Sequence, residues 1–149
     1  LFLCYNVKHW RKNMEITELM IGDLVSYKDI NDVVKHGKIL IIDANDNTVV
    51  LQDNTRKHLI EDILPIEVTT ETLIAYGFQN AIADILAFNT PYSDNMYVKL
   101  NNVDNYWYCS HGCSKLYGGV LKNIFAKFKY LHELQHIMRL RYDNEITIF

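Results

Sequence analysis

Lys38-Ile39-Leu40-Ile41-Ile42, then Asn45-Asp46-Asn47, then Thr48-Val49-Val50-Leu51-Gln52: these three stretches read as strand, turn and strand. β-Branched residues crowd both flanks, and asparagine and aspartate tolerate the backbone of a tight turn. Working outward, Ile21-Gly22-Asp23-Leu24-Val25-Ser26-Tyr27 reads as a turn and then a strand. His36-Gly37 is a second turn signal, and Asp53-Asn54 a third, before the strand Lys57-His58-Leu59-Ile60. Short strands at this spacing predict a small, strongly bent antiparallel β unit, SH3-like, over residues 14–66, closed by Pro65.

Beyond Pro65 the pattern changes. Thr69 or Thr70 can cap a helix, because a hydroxyl there accepts from the first free amides, and Glu71 suits the positive helix end. Gly77 can end that helix in the left-handed conformation, leaving Phe78 to pack back. Ala81 to Phe88 is ambiguous, since Ile82, Ile85 and Leu86 fit helical spacing. Residues 89–95 read as a loop around Pro91. Met96-Tyr97-Val98-Lys99-Leu100 and Asn105-Tyr106-Trp107-Tyr108-Cys109 read as a hairpin about residues 101–104. From Lys129 to Arg141, Leu131, Leu134, Ile137 and Met138 form the apolar stripe of an amphipathic helix. Ile146-Thr147-Ile148-Phe149 reads as a closing strand. The expected fold class is α+β, with the β unit followed by a second subdomain over 67–149 packed on it. Residues 1–13 precede Met14 and are expected to be an upstream extension or an added segment.

Composition bounds the function. Of 149 residues, 49% are hydrophobic and 12% aromatic, which excludes intrinsic disorder as the main state. No apolar run reaches the roughly 20 residues of a membrane-crossing helix. The formal net charge is −3, and it is uneven. The body from 14 to 114 is acidic, whereas Lys8, Arg11 and Lys12 at one end and Lys115, Lys122, Lys127, Lys129, Arg139 and Arg141 at the other are basic. An acidic body repels phosphate backbones, so duplex nucleic acid is disfavoured as a partner. Cys4, Cys109 and Cys113 are too few, and odd in number, for a secreted disulfide framework; a reduced cytoplasm is expected. No signal-peptide pattern and no nucleotide-cradling glycine loop occurs.

Two constellations resemble metal sites. His132-Glu133-Leu134-Gln135-His136 matches H-E-x-x-H, in which two histidines on one helical face share a zinc and the glutamate activates its water. A catalytic zinc needs a third ligand, and Arg139 and Tyr142 stand where the metzincin extension has glycine and histidine. Alternatively, Cys109 and Cys113, with His132 and His136 downstream, have the residue order of a structural Cys2His2-like zinc site, with a longer central spacing than usual. Against both stands packing: cysteine is a small hydrophobe, and polar residues sit readily on a packed helix. A third chemistry, Cys109 or Cys113 as nucleophile with His111 or His132 as base, has no signature to orient the base. Finally, Tyr92, Tyr97, Tyr106, Trp107, Tyr108 and Tyr117 crowd one region. Tyr97, Tyr106, Trp107 and Tyr108, with Lys127 and Lys129, are the candidate ligand-binding set, and cross-strand aromatic packing is the competing explanation.

Four segments together resemble a family of small uncharacterised proteins encoded by phages and prophages of Bacteroides-like bacteria. Glu18-Leu19-Met20-Ile21-Gly22-Asp23-Leu24-Val25 is similar to the family's opening, and Leu64-Pro65-Ile66-Glu67-Val68-Thr69-Thr70-Glu71 to its central motif. Leu73-Ile74-Ala75-Tyr76-Gly77-Phe78 and Lys129-Tyr130-Leu131-His132-Glu133-Leu134-Gln135 resemble two further motifs, while 79–128 matches poorly. The resemblance implies a mobile-element setting inside a bacterial cell and no established activity. In that family the helix usually reads H-Q-L-Q-N, so the H-E-x-x-H here resembles drift on a shared helix. The expectation is a non-enzymatic accessory binding protein without a cofactor. Its partner would be a host protein or a small anionic ligand such as a signalling nucleotide. A zinc protein and a self-associating structural or assembly module, a homo-oligomer, are the alternatives.

Overall fold

The computed structural model describes residues 14–90 and 94–142. The expected extension over 1–13, Tyr92 and the closing strand at 146–149 lie outside the described residues. The chain divides between Ile66 and Glu67 into two compact units. The described fold is α+β and mostly antiparallel sheet.

The first unit contains β1 (Leu24–Lys28), β2 (Val34–Asp43), β3 (Thr48–Leu51), β4 (Asn54–Leu59) and β5 (Ile63–Leu64), in the sheet order β4-β3-β2-β1-β5. β1 pairs antiparallel with both β2 and β5, and a 3-10 turn at Ile60–Asp62 leads from β4 into β5. Side chains from β1, β2 and β3 meet in one core: Val25 and Tyr27, Ile39, Val49 and Leu51, joined by Met14, Leu19, Ile60 and Ile63. The turns are built from short acids. Asp29 Oδ1 accepts from the amides of Asn31 and Val33, and Asp43 Oδ1 from those of Asn45 and Asp46. Asn47 then takes a φ of 56°, as expected of the Asn45-Asp46-Asn47 turn.

His36-Gly37 is no turn. Both residues lie inside β2, with Gly37 opposite Val25 and His36 opposite Ser26. A Cβ on Gly37 would stand 3.1 Å from Leu51 Cδ1 and 3.2 Å from Tyr27 Cε1. The glycine is there for close approach across the core, a signal that looks identical to a turn when only neighbours in sequence are seen.

The second unit opens with α1 (Thr70–Ala75). Thr69 is its cap, its Oγ1 accepting from the Thr72 amide at 3.2 Å. Gly77, at φ 100°, ends it; the Gly77 amide donates to Ile74 O and the Phe78 amide to Leu73 O, while Phe78 and Leu73 are both buried. Five antiparallel strands follow: β6 (Gln79–Ile82), β7 (Ile85–Asn89), β8 (Asn95–Leu100), β9 (Trp107–Ser114) and β10 (Val120–Phe128), neighbours in chain order. The ambiguous 81–88 stretch is thus a hairpin, turning at Ala83-Asp84 with Ala83 at φ 50°. Ile85 and Leu86 are both buried because each face of β7 is covered, and that double burial imitates helical spacing. The hairpin expected at 96–109 is β8–β9, and it is the centre of a larger sheet. β10 has no clean alternation to read: its register shifts between Ile124 and Ala126, and Asn123 takes a φ of 57°.

α2 (Leu131–Tyr142) buries Leu131, His132, Leu134, Gln135, Met138 and Tyr142 and packs on β10. No helix among the described residues is long and apolar enough to cross a membrane.

Candidate functional site

Strand pairing decides which of the candidate side chains meet. Lys99 in β8 stands opposite Tyr108 in β9, and Lys127 in β10 stands opposite Tyr108 from the other side. The three therefore form a row across one face, with the phenol between two ammonium-bearing stems. Their strand neighbours Val98, Cys109 and Phe128 alternate to the other face and are fully buried.

The ends of the row are held. Lys127 Nζ lies 4.5 Å from the centroid of the Tyr106 ring, within cation–π reach. The Tyr108 hydroxyl donates to Asp104 Oδ2 at 2.5 Å. That bond raises the phenol above its ordinary value and, with the Tyr106 amide, holds the Asp104 carboxyl below its own, so one stays protonated and the other charged. Lys99 Nζ donates to Gly119 O at 2.7 Å and lies 3.7 Å from Asp84 Oδ1. Gly119 belongs to the β9–β10 turn, where a Cβ would press on Ile85 Cδ1 at 3.2 Å. The turn is thereby drawn over the sheet beside Lys99.

Between this turn and the strands lies a groove of about 580 Å³. Its polar lining is Lys99, Tyr108, Asn101, Asn102 and the carboxylate of Asp84, and its apolar lining is Leu100, Val120, Leu121 and Ile124. The size is that of a small-molecule site, and the lining joins an apolar bed to a few polar groups.

Not every candidate belongs here. Trp107 is 4% exposed, donates from Nε1 to Val68 O at 3.2 Å and stacks parallel to Phe128; it is core, and its place in the ligand-binding set is corrected accordingly. Lys129 follows β10 and is tied by its backbone, its carbonyl accepting from the Val68 amide and its own amide donating to Glu133. Tyr97 shares the face of Tyr108, its hydroxyl accepting from Asn95 Nδ2, outside the groove lining. Lys99 was the residue missed. The turn at 101–104 already centres the hairpin, and counting outward from it places Lys99 across from Tyr108.

The metal constellations come apart. Cys109 and Cys113 lie on one extended strand, four residues and so roughly 13 Å apart along it. Two thiolates on one zinc stand about 4 Å apart. Among the described residues no group of three or more His, Cys, Asp or Glu is placed to hold a metal ion. In the H-E-x-x-H stretch, Glu133 Oε2 accepts from the amides of Lys129 at 2.7 Å and Tyr130 at 3.1 Å. It is the acidic half of a capping box, turned to its own helix end. His132 is 2% exposed and stacks on Tyr130, and His136 meets it edge-on at 5.8 Å. As for a thiol nucleophile, burial pushes Cys109 up to about 12, which keeps it a thiol at neutral pH.

Compared with protein-family models, with curated proteins and with solved structures, the chain matches none of them.

Proposed function

We propose that this protein is a non-enzymatic binding protein whose ligand is a small anion with an aromatic or apolar body, a nucleotide being the leading chemistry, held in the groove beside Lys99 and Tyr108. The observation that carries the reading is the cross-strand pair Lys99–Tyr108 in the lining of a groove with an apolar bed, with Lys127 flanking Tyr108 outside that lining. A phosphate or carboxylate pairs with Lys99, Asn101 and Asn102 supply amide donors and acceptors, and a planar body lies on Leu100, Val120 and Ile124. Among the described residues that line the groove, none forms a nucleophile–base pair. The resemblance to phage and prophage proteins supports a mobile-element setting, with a bacterial host protein as the other class of partner.

The first unit is read as an SH3-like roll. The strand order β4-β3-β2-β1-β5, with a 3-10 turn before the short β5, supports this, and such a fold by itself assigns no activity.

Calorimetric titration with a panel of nucleoside mono- and diphosphates and cyclic nucleotides tests the reading. Saturable binding that weakens at least about tenfold in Lys99→Ala and in Tyr108→Ala is expected. Failure of every nucleotide to bind, or steady turnover of a peptide or phosphodiester lost on Glu133→Gln, overturns it.

A further inference from the structure

We infer a second binding site on the opposite, helix-covered face of the same sheet: the groove at the C-terminal end of α2 takes a small ligand with an oxyanion on an apolar body, recognised by Arg141 and His111. This inference stands apart from the groove beside Lys99.

His111 lies two residues beyond Cys109 in β9, so strand alternation sends it to the side that α2 covers. The register shift in β10 brings Phe125 to the same place. The Phe125 ring is a shelf for two planar polar groups. The His111 imidazole stacks on it at 4.4 Å with an interplanar angle of 22°, and Arg141 Cζ lies 4.0 Å from its centroid. Arg141 Nη2 and His111 Nε2 are in contact. A guanidinium has donors only, so in this contact Arg141 donates and Nε2 accepts.

Among the described residues no carboxylate stands within ion-pair distance of the Arg141 guanidinium. Stacking has already fixed its plane, so less side-chain entropy is lost when a ligand arrives. Its remaining N–H groups form the fork that suits phosphate or carboxylate oxygens. They border a groove of about 680 Å³ whose apolar side includes Ile137 and Leu140, the latter 80% exposed. Asp94 lines the same groove and would repel a second negative group on the ligand. The ligand class is therefore a compact oxyanion on an apolar body.

Long-range proton–nitrogen spectra of the 15N-labelled full chain read the histidine ring nitrogens directly, with His111→Gln assigning the resonance. Phenyl phosphate and benzoate, added separately at constant ionic strength, are the probes. A saturable shift of the His111 ring is expected with at least one of them, and the affinity is expected to fall at least about tenfold in Arg141→Gln. Saturation by phenyl phosphate alone assigns a phosphate ligand, and by benzoate alone a carboxylate. Arg141→Lys keeps the charge without the fork and is expected to bind in between. Shifts that stay linear with both probes overturn the inference. So does unchanged affinity in Arg141→Gln. Loss in Lys99→Ala with retention in Arg141→Gln would place the probe in the other groove and likewise overturn it.

Discussion

Replacing Glu133 with alanine separates a helix cap from a catalytic glutamate. The carboxylate accepts two backbone amides, from Lys129 at 2.7 Å and Tyr130 at 3.1 Å, both partly buried. Loss of a capping side chain costs about 0.5–2 kcal/mol, and bonds to a charged acceptor lie at the upper end of the usual range. The negative charge also sits at the positive end of α2, which adds a few tenths of a kcal/mol. The expected destabilisation is about 1–2 kcal/mol, or about a 5- to 30-fold shift in the folding equilibrium. Glu133→Gln, which keeps an acceptor at the same position, is expected to lose about half as much. Urea unfolding followed by far-ultraviolet circular dichroism reads the difference as a lower midpoint with unchanged slope. A midpoint for Glu133→Ala equal to that of the wild type would refute the capping argument. Unchanged stability together with loss of a zinc-dependent turnover would return Glu133 to the water-activating role of the H-E-x-x-H pattern.

Gly37→Ala tests the other glycine argument. Its new methyl would meet Leu51 and Tyr27, both buried core side chains, so a net loss of about 1–2 kcal/mol is expected in the same assay after subtracting the entropy gain in the unfolded chain. His58 gives the first unit a pH dependence. It is buried against Tyr27, with ring centroids 5.1 Å apart, and among the described residues its Nε2 has no hydrogen-bond partner. Burial first, and Arg56 second, push it below its ordinary value, while Asp62 opposes them. The unfolded chain therefore binds the proton first as pH falls through about 6.5, and stability declines from there toward the lowered folded value. Urea midpoints measured from about pH 7 to about pH 5 should fall in the wild type and fall less in His58→Phe; equal slopes would sink the argument.

Local signals explain what could be read early. α1 carries its own instructions, a threonine cap at one end and Gly77 with Phe78 at the other. The strands around Asn45-Asp46-Asn47 and the β8–β9 hairpin are bounded by side chains that bend the backbone unaided. Lys99 was within reach of the same reasoning, since a hairpin turn fixes the register of its arms. β6, β7 and β10 were not. Double burial of Ile85 and Leu86 hides the two-residue period of β7, and a register shift hides that of β10.

By itself, then, the sequence determined the α+β class, the capped helix α1 and the turns at Asn45-Asp46-Asn47 and 101–104, because each depends on side chains within a few residues of the backbone they direct. Only the tertiary structure decided what the conspicuous residues are for. Trp107 goes to the core because strand alternation carries it there and Val68 satisfies its N–H. Cys109 and Cys113 are kept apart by the extended strand they share, and Glu133 is taken by its own helix end. Lys99, Tyr108 and Lys127 become one row only when three strands pair. Pairing and burial are settled between segments far apart in the chain, where residue spacing carries no record of them.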